Sequence, residues 1–206
     1  MKLNTRDIPE LKQAEIEYRK KRNETRKVYN KLKKLEKKFY FLDRIVQPRK
    51  DTDTKKDDLK LELAIFHLFE SIGFKCKIPD SENDVDVKVK FMDYYFGIEV
   101  KNGNLVAEND LFQAHKYKGL NNEVYHPIVV YNNTKNNDNF GENRIKIANQ
   151  NNFGIILTTE LKKGYLKLMN KKISFDQFVN QLNLTGEIKF SIKELSRSNK
   201  SVDYRR

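Results

Sequence analysis

Residues 83–101, NDVDVKVKFMDYYFGIEVK, constrain the fold more than any other stretch of the chain. From Asp84 to Phe91 polar and apolar residues alternate without a break. Val85, Val87, Val89 and Phe91 fall on one side; Asp84, Asp86, Lys88 and Lys90 fall on the other. A period of two is that of a β-strand with one buried face. Met92-Asp93-Tyr94 reads as the connection to a second strand, in which Phe96, Ile98 and Val100 share one face and Gly97, Glu99 and Lys101 the other. Such alternation is ordinary in antiparallel sheets that keep one face in water. It also sets a carboxylate and an ammonium two residues apart on one strand face, beside a strand rich in acid. The pair of strands is therefore either a solvated sheet face or a place to hold a divalent cation and a water.

Charge is distributed unevenly. The 206 residues carry a net +12, of which residues 1–50 supply +10, from 17 Lys+Arg against 7 Asp+Glu. The remainder is nearly neutral, so the basicity belongs to an arm, and a basic arm implies a polyanion such as DNA, RNA or an anionic membrane surface. Residues 9–47 read as one long helix, opened by Pro9 and uninterrupted by Gly or Pro until Pro48. A seam of three-and-four steps runs along it and is fully apolar from Val28 through Leu32, Leu35, Phe39, Leu42 and Val46. It fits either a coiled coil that dimerises the chain or a helix packed on its own globular domain. Between Arg19 and Lys38 eleven Lys/Arg face only two Glu, too few acids for i,i+4 pairing, so contact with phosphate is the expected role.

Beyond a polar linker at 48–54, residues 57–72 read as a helix ended by Gly73, with Asp57 or Thr54 as its cap. Its apolar stripe contains Leu59, Ile65, Phe66 and Phe69, and Glu62 falls on that stripe, where a carboxylate is costly unless paired, bound to a cation or reaching water at the edge. A short strand at 74–78 precedes the two strands described above. After them come a polar loop (102–109), a helix at 110–120 with Gln113 and Tyr117 one turn apart, a buried strand at 127–131 and an Asn-rich loop at 132–139. A helix at 141–151, a strand at 153–158, helices at 159–169 and 174–182, the latter capped by Ser174, and a short strand at 189–192 complete the order. The expected organisation is a basic arm over 1–50, an α/β domain over 51–195 and a basic, disordered tail over 196–206.

Several classes of chemistry are unsupported. One cysteine, Cys76, builds neither a disulfide framework nor a cysteine zinc site, and it reads as a small core residue. His67, His115 and His126 do not cluster. No phosphate-binding GxxxxGK[ST] is present, so no nucleotide cofactor is expected. No run of apolar residues is long enough to span a membrane, and no secretory signal opens the chain; an intracellular (cytoplasmic) setting is expected. Tyr94 and Tyr95 are left between packing in the fold and stacking on a base.

Taken in order, the chain offers a helix with Glu62, a turn at Gly73, a strand, a strand with Asp86, a strand with Glu99-Val100-Lys101, and a helix with Gln113 and Tyr117. This resembles the PD-(D/E)xK nuclease superfamily over roughly residues 57–158, in its Holliday-junction resolvase and RecB-like branch. Glu62 resembles the family's helix glutamate, Asp86 its strand aspartate, Glu99-Val100-Lys101 the (D/E)xK triplet, and Gln113-Ala114-His115-Lys116-Tyr117 the QxxxY element. The proline that precedes the family's aspartate is replaced by Val85, which leaves Asp84 as a rival; the spacing to Glu99 favours Asp86.

The resemblance implies a restriction-endonuclease-like α-β-β-β-α-β core with a mixed sheet. It implies a Mg²⁺- or Mn²⁺-dependent deoxyribonuclease, an endonuclease acting on DNA. Asp86, Glu99, the Val100 carbonyl and Glu62 would be the metal ligands, hard oxygen donors suited to such ions. Lys101 would orient or help to deprotonate the attacking water or stabilise the transition state, and Gln113 and Tyr117 would orient Lys101 or touch the scissile strand. The alternative is the same fold with a weak or unused metal site, serving as a nucleic-acid-binding subunit of a larger complex.

Overall fold

The structure, a computed structural model, describes residues 9–47, 54–80, 84–103, 111–113, 116, 125–133 and 140–190. Tyr117, His115, the linker at 48–53 and the tail at 196–206 lie outside them, as do most of the loops at 102–109 and 132–139 and of the helix expected at 110–120. The chain divides into two compact units, Met1–Tyr40 and Phe41–Arg206.

The first unit is helix α1 (Pro9–Phe39), with every residue from 12 to 38 exposed. The continuous helix expected to residue 47 is instead interrupted at Tyr40, and a short helix, α2 (Phe41–Arg44), begins the second unit. The cause is a change of face. The seam of α1 would continue through Leu42 and Val46, but Phe41 and Ile45 are the residues that bury, at 2% and 0% exposure, with Phe41 edge-on to Tyr165 at 5.7 Å.

In the second unit α3 (Thr54–Ser71) leads to a six-stranded sheet in sequential order: β1 (Lys75–Lys77), β2 (Val87–Phe91), β3 (Tyr94–Gly103), β4 (His126–Asn133), β5 (Gly154–Leu157) and β6 (Gly186–Glu187). β1 to β3 are antiparallel; β3 to β6 are parallel. The sheet is therefore mixed, as expected, and the crossovers use α4 (Glu142–Gln150) between β4 and β5 and α5 (Thr158–Met169) and α6 (Phe175–Leu182) between β5 and β6. The last strand pairs through Gly186–Glu187, ahead of the stretch expected to form it, of which 191–192 lie outside the described residues. At Phe190 the backbone N–H instead donates to Glu160 at 3.0 Å.

Local chemistry explains these bounds. α3 ends in a Schellman turn: Gly73 has φ +97°, the Phe74 N–H reaches the Phe69 carbonyl at 3.2 Å, and the two phenyl rings meet at 5.4 Å. α6 opens with the expected Ser174, which accepts from Gln177 N while the Gln177 side chain accepts from Ser174 N. The buried face of α3 differs from the expected stripe. Leu61, Ala64, Ile65, Leu68 and Phe69 are buried, whereas Leu59 is 52% exposed, because the three-and-four spacing that packs on β1–β3 starts from Leu61. The helix starts one turn earlier than expected, at Thr54, so Asp57, expected as a cap, lies inside the first turn, buried and paired to Arg44 at 2.9 Å.

On the strands the alternation holds for Val87, Val89, Phe96 and Ile98, all fully buried, but Val85, which lies before β2 and was expected on the same face, packs in the apolar cluster of the opposite face. The opposite face of β3 is covered too. Tyr125 lies where a Cβ on Gly97 would go, and it joins Val129, Tyr131, Leu111, Phe153 and Ile155 in a second apolar cluster. Tyr94 stacks on Phe96 and donates to Asn180, and Tyr95 meets Tyr125 edge-on, so both tyrosines pack in the fold.

Candidate active site

Glu99 is the centre of the site. It lies on β3, between β2 and β4, opposite Val129, and only 4% of it is exposed. One oxygen, Oε1, accepts from Lys101 Nζ at 2.7 Å. The other, Oε2, is buried and accepts no hydrogen bond. A buried carboxylate oxygen left in this way is expensive. Burial, with the Asp86 charge second, pushes the Glu99 carboxyl up to about 7.

Asp86 is positioned by the backbone of the same strand: the Val100 N–H donates to its Oδ2 at 2.6 Å. Burial raises its pKa, against the lowering effects of that bond and of Lys101. Its rival Asp84 is turned to other work, pairing with Lys88 at 2.7 Å and accepting from Val85 N at 2.8 Å. Lys101 lies two residues beyond Glu99 with its side chain 22% exposed, and it donates to Glu99 and to Gln113 Oε1. Gln113 belongs to a helical turn anchored by buried Leu111, which brings the family-like glutamine to the lysine.

Glu62 is half-buried on α3. Its carboxyl is pushed up to about 7 by burial first, then by Asp86 and Asp58, with Lys101 pulling the other way. These mutual influences bring Glu62, Asp86, Glu99 and Lys101 into one electrostatic cluster. Asp58 is an acid that the sequence reading passed over: its charge raises both Glu62 and Asp86. Its signal was present, because Asp58 stands four residues before Glu62 and so shares its helix face. His67 and His126 take no part: His67 Nδ1 lies 3.2 Å from Glu70, and His126 Nε2 lies 3.0 Å from the Leu184 carbonyl.

Asp86, Glu99 and Glu62 are hard oxygen donors, and the unsatisfied Glu99 Oε2 is an acceptor that a divalent cation would satisfy; the donor set fits Mg²⁺ or Mn²⁺. Among the described residues no group of three or more His, Cys, Asp and Glu side chains is already drawn together to hold an ion. Lys101 donates to Glu99 instead.

The order of elements and the mixed sheet are those of a restriction-endonuclease-like fold. Among solved structures the chain is similar to the restriction endonuclease FokI, with a TM-score of 0.54 at 13% identity over 73% of this chain. It is likewise similar to FokI bound to DNA, with a TM-score of 0.52 at 14% identity over 74% of this chain. The match spans 30% of the FokI chain in both cases. No protein-family profile and no curated protein matches the sequence.

Proposed function

We propose that the protein is a divalent-metal-dependent deoxyribonuclease, an endonuclease that hydrolyses DNA phosphodiester bonds. The observation that carries this reading is the buried Glu99, bonded through one oxygen to Lys101 and left without a hydrogen bond at the other, beside an Asp86 held by the Val100 N–H. Asp86, Glu99, Glu62 and the Val100 carbonyl would hold Mg²⁺ or Mn²⁺. When bound, such an ion lowers the pKa of a coordinated water and neutralises charge on the phosphate. The chain's own part is to fix the geometry. Val100 N–H aims Asp86, Gln113 steadies the Lys101 ammonium, and Lys101 presents its charge where the attacking water and a phosphate oxygen meet. Tyr117, by resemblance, completes the QxxxY pair with Gln113. The DNA substrate is supported by the fold's likeness to a DNA-bound restriction endonuclease.

The arm would serve as a backbone grip. Lys20, Lys27, Lys31, Lys34 and Lys38 recur at steps of seven, four, three and four and stack on one side of α1. Val28, Leu32 and Leu35 are exposed at 68%, 50% and 43% on another side, an apolar seam that suits a homodimer with lysines outward. A second reading, a nucleic-acid-binding module with an unused site, is favoured by the absence, among the described residues, of an acid trio ready to hold an ion.

One assay separates them. Supercoiled plasmid, linear duplex, single strand and a four-way junction are incubated with Mg²⁺ or Mn²⁺ and wild type, Glu99→Gln or Lys101→Ala. Metal-dependent cutting that both variants lose supports the enzyme; no cutting by any form, or equal cutting by all, leaves the binding module.

A further inference from the structure

Around its axis α1 presents three faces rather than one basic surface. At about 100° per residue, Val28, Leu32 and Leu35 share the apolar seam, and Lys20, Lys27, Lys31, Lys34 and Lys38 gather roughly 95° from it on one side. Tyr18, Arg22, Arg26, Tyr29 and Lys33 follow one another at steps of four, four, three and four and form a row roughly 110° from the seam on the other side. The arginines of α1, Arg19, Arg22 and Arg26, all fall on this third side and none lies among the lysines.

Solubility and helix propensity do not account for the row. Tyr18 and Tyr29 are 65% and 55% exposed, where Lys, Glu or Gln would favour the helix more. No acid occupies the row between Tyr18 and Lys33. Among the described residues Arg22 and Arg26 form no side-chain hydrogen bond or ion pair; Arg19, beside the row, pairs with Glu15 at 2.6 Å, and Lys33, at its end, with Glu36 at 3.1 Å. The Lys33 ammonium also stands 5.7 Å from the centroid of the Tyr29 ring, so cation and ring already share one place. A dimer closed on the seam would not bury these groups. Behind Val28 the line of the seam runs through Thr25 and Lys21 before it reaches Tyr18, and neither closes an apolar interface, while Arg22, Arg26 and Tyr29 stand off that line.

Rings and guanidinium groups on one line match a chain that is anionic on one side and aromatic on the other. An unpaired DNA strand is such a chain: its phosphates carry the charge, and its bases expose the flat faces that a duplex keeps stacked inside. Tyrosine stacks on any base, and the planar guanidinium of arginine both binds phosphate through two N–H groups and stacks on a base. Lysine offers a point charge alone, which suits the continuous backbone of a duplex and fits the opposite face of α1. Eleven residues separate Tyr18 from Tyr29, about 16 Å along the helix. That is roughly five nucleotide steps at the rise of one strand in a duplex, or fewer for an extended strand, at the small end of single-strand sites.

We propose that the row from Tyr18 to Lys33 is a contact for single-stranded DNA, with bases stacked on Tyr18 and Tyr29 and the phosphates between them held by Arg22 and Arg26. The DNA on which the protein acts would then carry an unpaired segment rather than being uninterrupted duplex. This rests on the reading of the arm as a DNA contact and narrows its ligand class; it does not depend on cleavage.

The test uses the full chain in EDTA, so that binding is read apart from cleavage. Anisotropy is followed for a labelled oligo(dT) of about 20 nucleotides and for a duplex of the same length, between roughly 50 and 200 mM KCl. Tyr18→Ala/Tyr29→Ala is expected to weaken oligo(dT) binding at least about tenfold and duplex binding less than about twofold, with unchanged sedimentation. Tyr18→Phe/Tyr29→Phe keeps the stacking faces and should bind as wild type; Tyr18→Leu/Tyr29→Leu keeps apolar bulk without them and should fail as the alanine pair does. Arg22→Gln/Arg26→Gln should lower the salt slope on oligo(dT) by about 1.4, two contacts at ~0.7 each, and leave the duplex slope unchanged. Wild-type oligo(dT) binding by the alanine pair, an equal loss on both ligands, or binding retained by the leucine pair overturns the proposal. So does a fall in sedimentation coefficient that accompanies the loss, because the tyrosines would then hold a second copy of the chain. A wild type that binds duplex and not oligo(dT) overturns this inference alone, and one that binds neither overturns the DNA-binding arm with it. Failure of the cleavage assay changes none of these readings.

Discussion

The most informative single substitution is Glu99→Gln, because it should stabilise the protein while removing the proposed activity. In the metal-free protein Glu99 is buried, repelled by Asp86 and Glu62, and its carboxyl titrates at about 7 instead of the ordinary 4.5. The native state therefore keeps a proton that the unfolded chain has released between those two values. The sign follows: the folded protein binds more protons than the unfolded one across pH 4.5–7, so wild-type stability falls as pH rises through that window. One pH unit is worth about 1.4 kcal/mol, so at pH 8 the ionised Glu99 costs up to roughly 3 kcal/mol. Glutamine keeps an acceptor for Lys101 without the charge, and the expected gain is about 2 kcal/mol, or ~4–8 °C in Tm for a domain of this size. The assay is thermal and urea unfolding in EDTA at pH 5, 6.5 and 8. The gain should be largest at pH 8 and should shrink below about 1 kcal/mol at pH 5, where wild-type Glu99 is already protonated. Adding Mg²⁺ or Mn²⁺ at pH 8 should raise the Tm of wild type and leave the variant nearly unmoved, closing the gap by mass action. A variant less stable than wild type at pH 8, or a gain equal at pH 5 and pH 8, would refute the account of Glu99 as an uncompensated buried charge.

Two further outcomes follow from the same geometry. Asp86→Asn is expected to abolish both cleavage and the metal-induced rise in Tm, whereas Asp84→Asn, which removes the charge paired with the nearly buried Lys88, should keep both at a cost of about 3 kcal/mol in urea unfolding; the reverse pattern would move the proposed ligand to Asp84. Gly97→Ala should cost about 1–3 kcal/mol through overpacking, since its Cβ would enter the Tyr125 ring. Tyr125→Leu should recover part of that loss in the double variant, and additive losses would show that the ring is not the obstacle.

The strand pair was legible because alternation of period two is a local property: Val87, Val89 and then Phe96 and Ile98 need only a buried face beneath them, and the sheet supplies it, whereas Val85, ahead of the strand, turns to the opposite cluster. The helix bounds were legible for the same reason, from Gly73 and Ser174, whose turn chemistry is complete within a few residues. What the pattern does not carry is the state of the opposite face. Glu99 and Lys101 read equally well as solvated, and only the approach of Tyr125 over Gly97 and of the turn bearing Leu111 and Gln113 turns that face into an interior. The misjudged stripe on α3 has a related cause. Leu59 and Leu61 are equally apolar, and which of them faces the sheet is decided by strands that come later in the chain. The break at Tyr40 is likewise decided by Tyr165, more than a hundred residues away, which gives Phe41 a place to bury.

These failures have a common direction, and it bears on the site itself. Local rules are obeyed wherever a residue only has to pack, and they are broken at Glu99, where a carboxylate is buried with one oxygen unsatisfied, and at Asp86 and Glu62, whose charges oppose it. A chain that had only to fold would gain stability from a neutral residue at position 99. Without metal the cluster is relieved by keeping protons to higher pH; on the proposed reading a divalent cation, held by hard oxygens, would take that place at neutral pH and above. The lysine at 101 supplies one positive charge and satisfies one Glu99 oxygen. For the proposed reading, the remaining negative charge is a stronger support than the spacing of the triplet, because spacing alone recurs by chance whereas a buried acid beside two others is costly to keep.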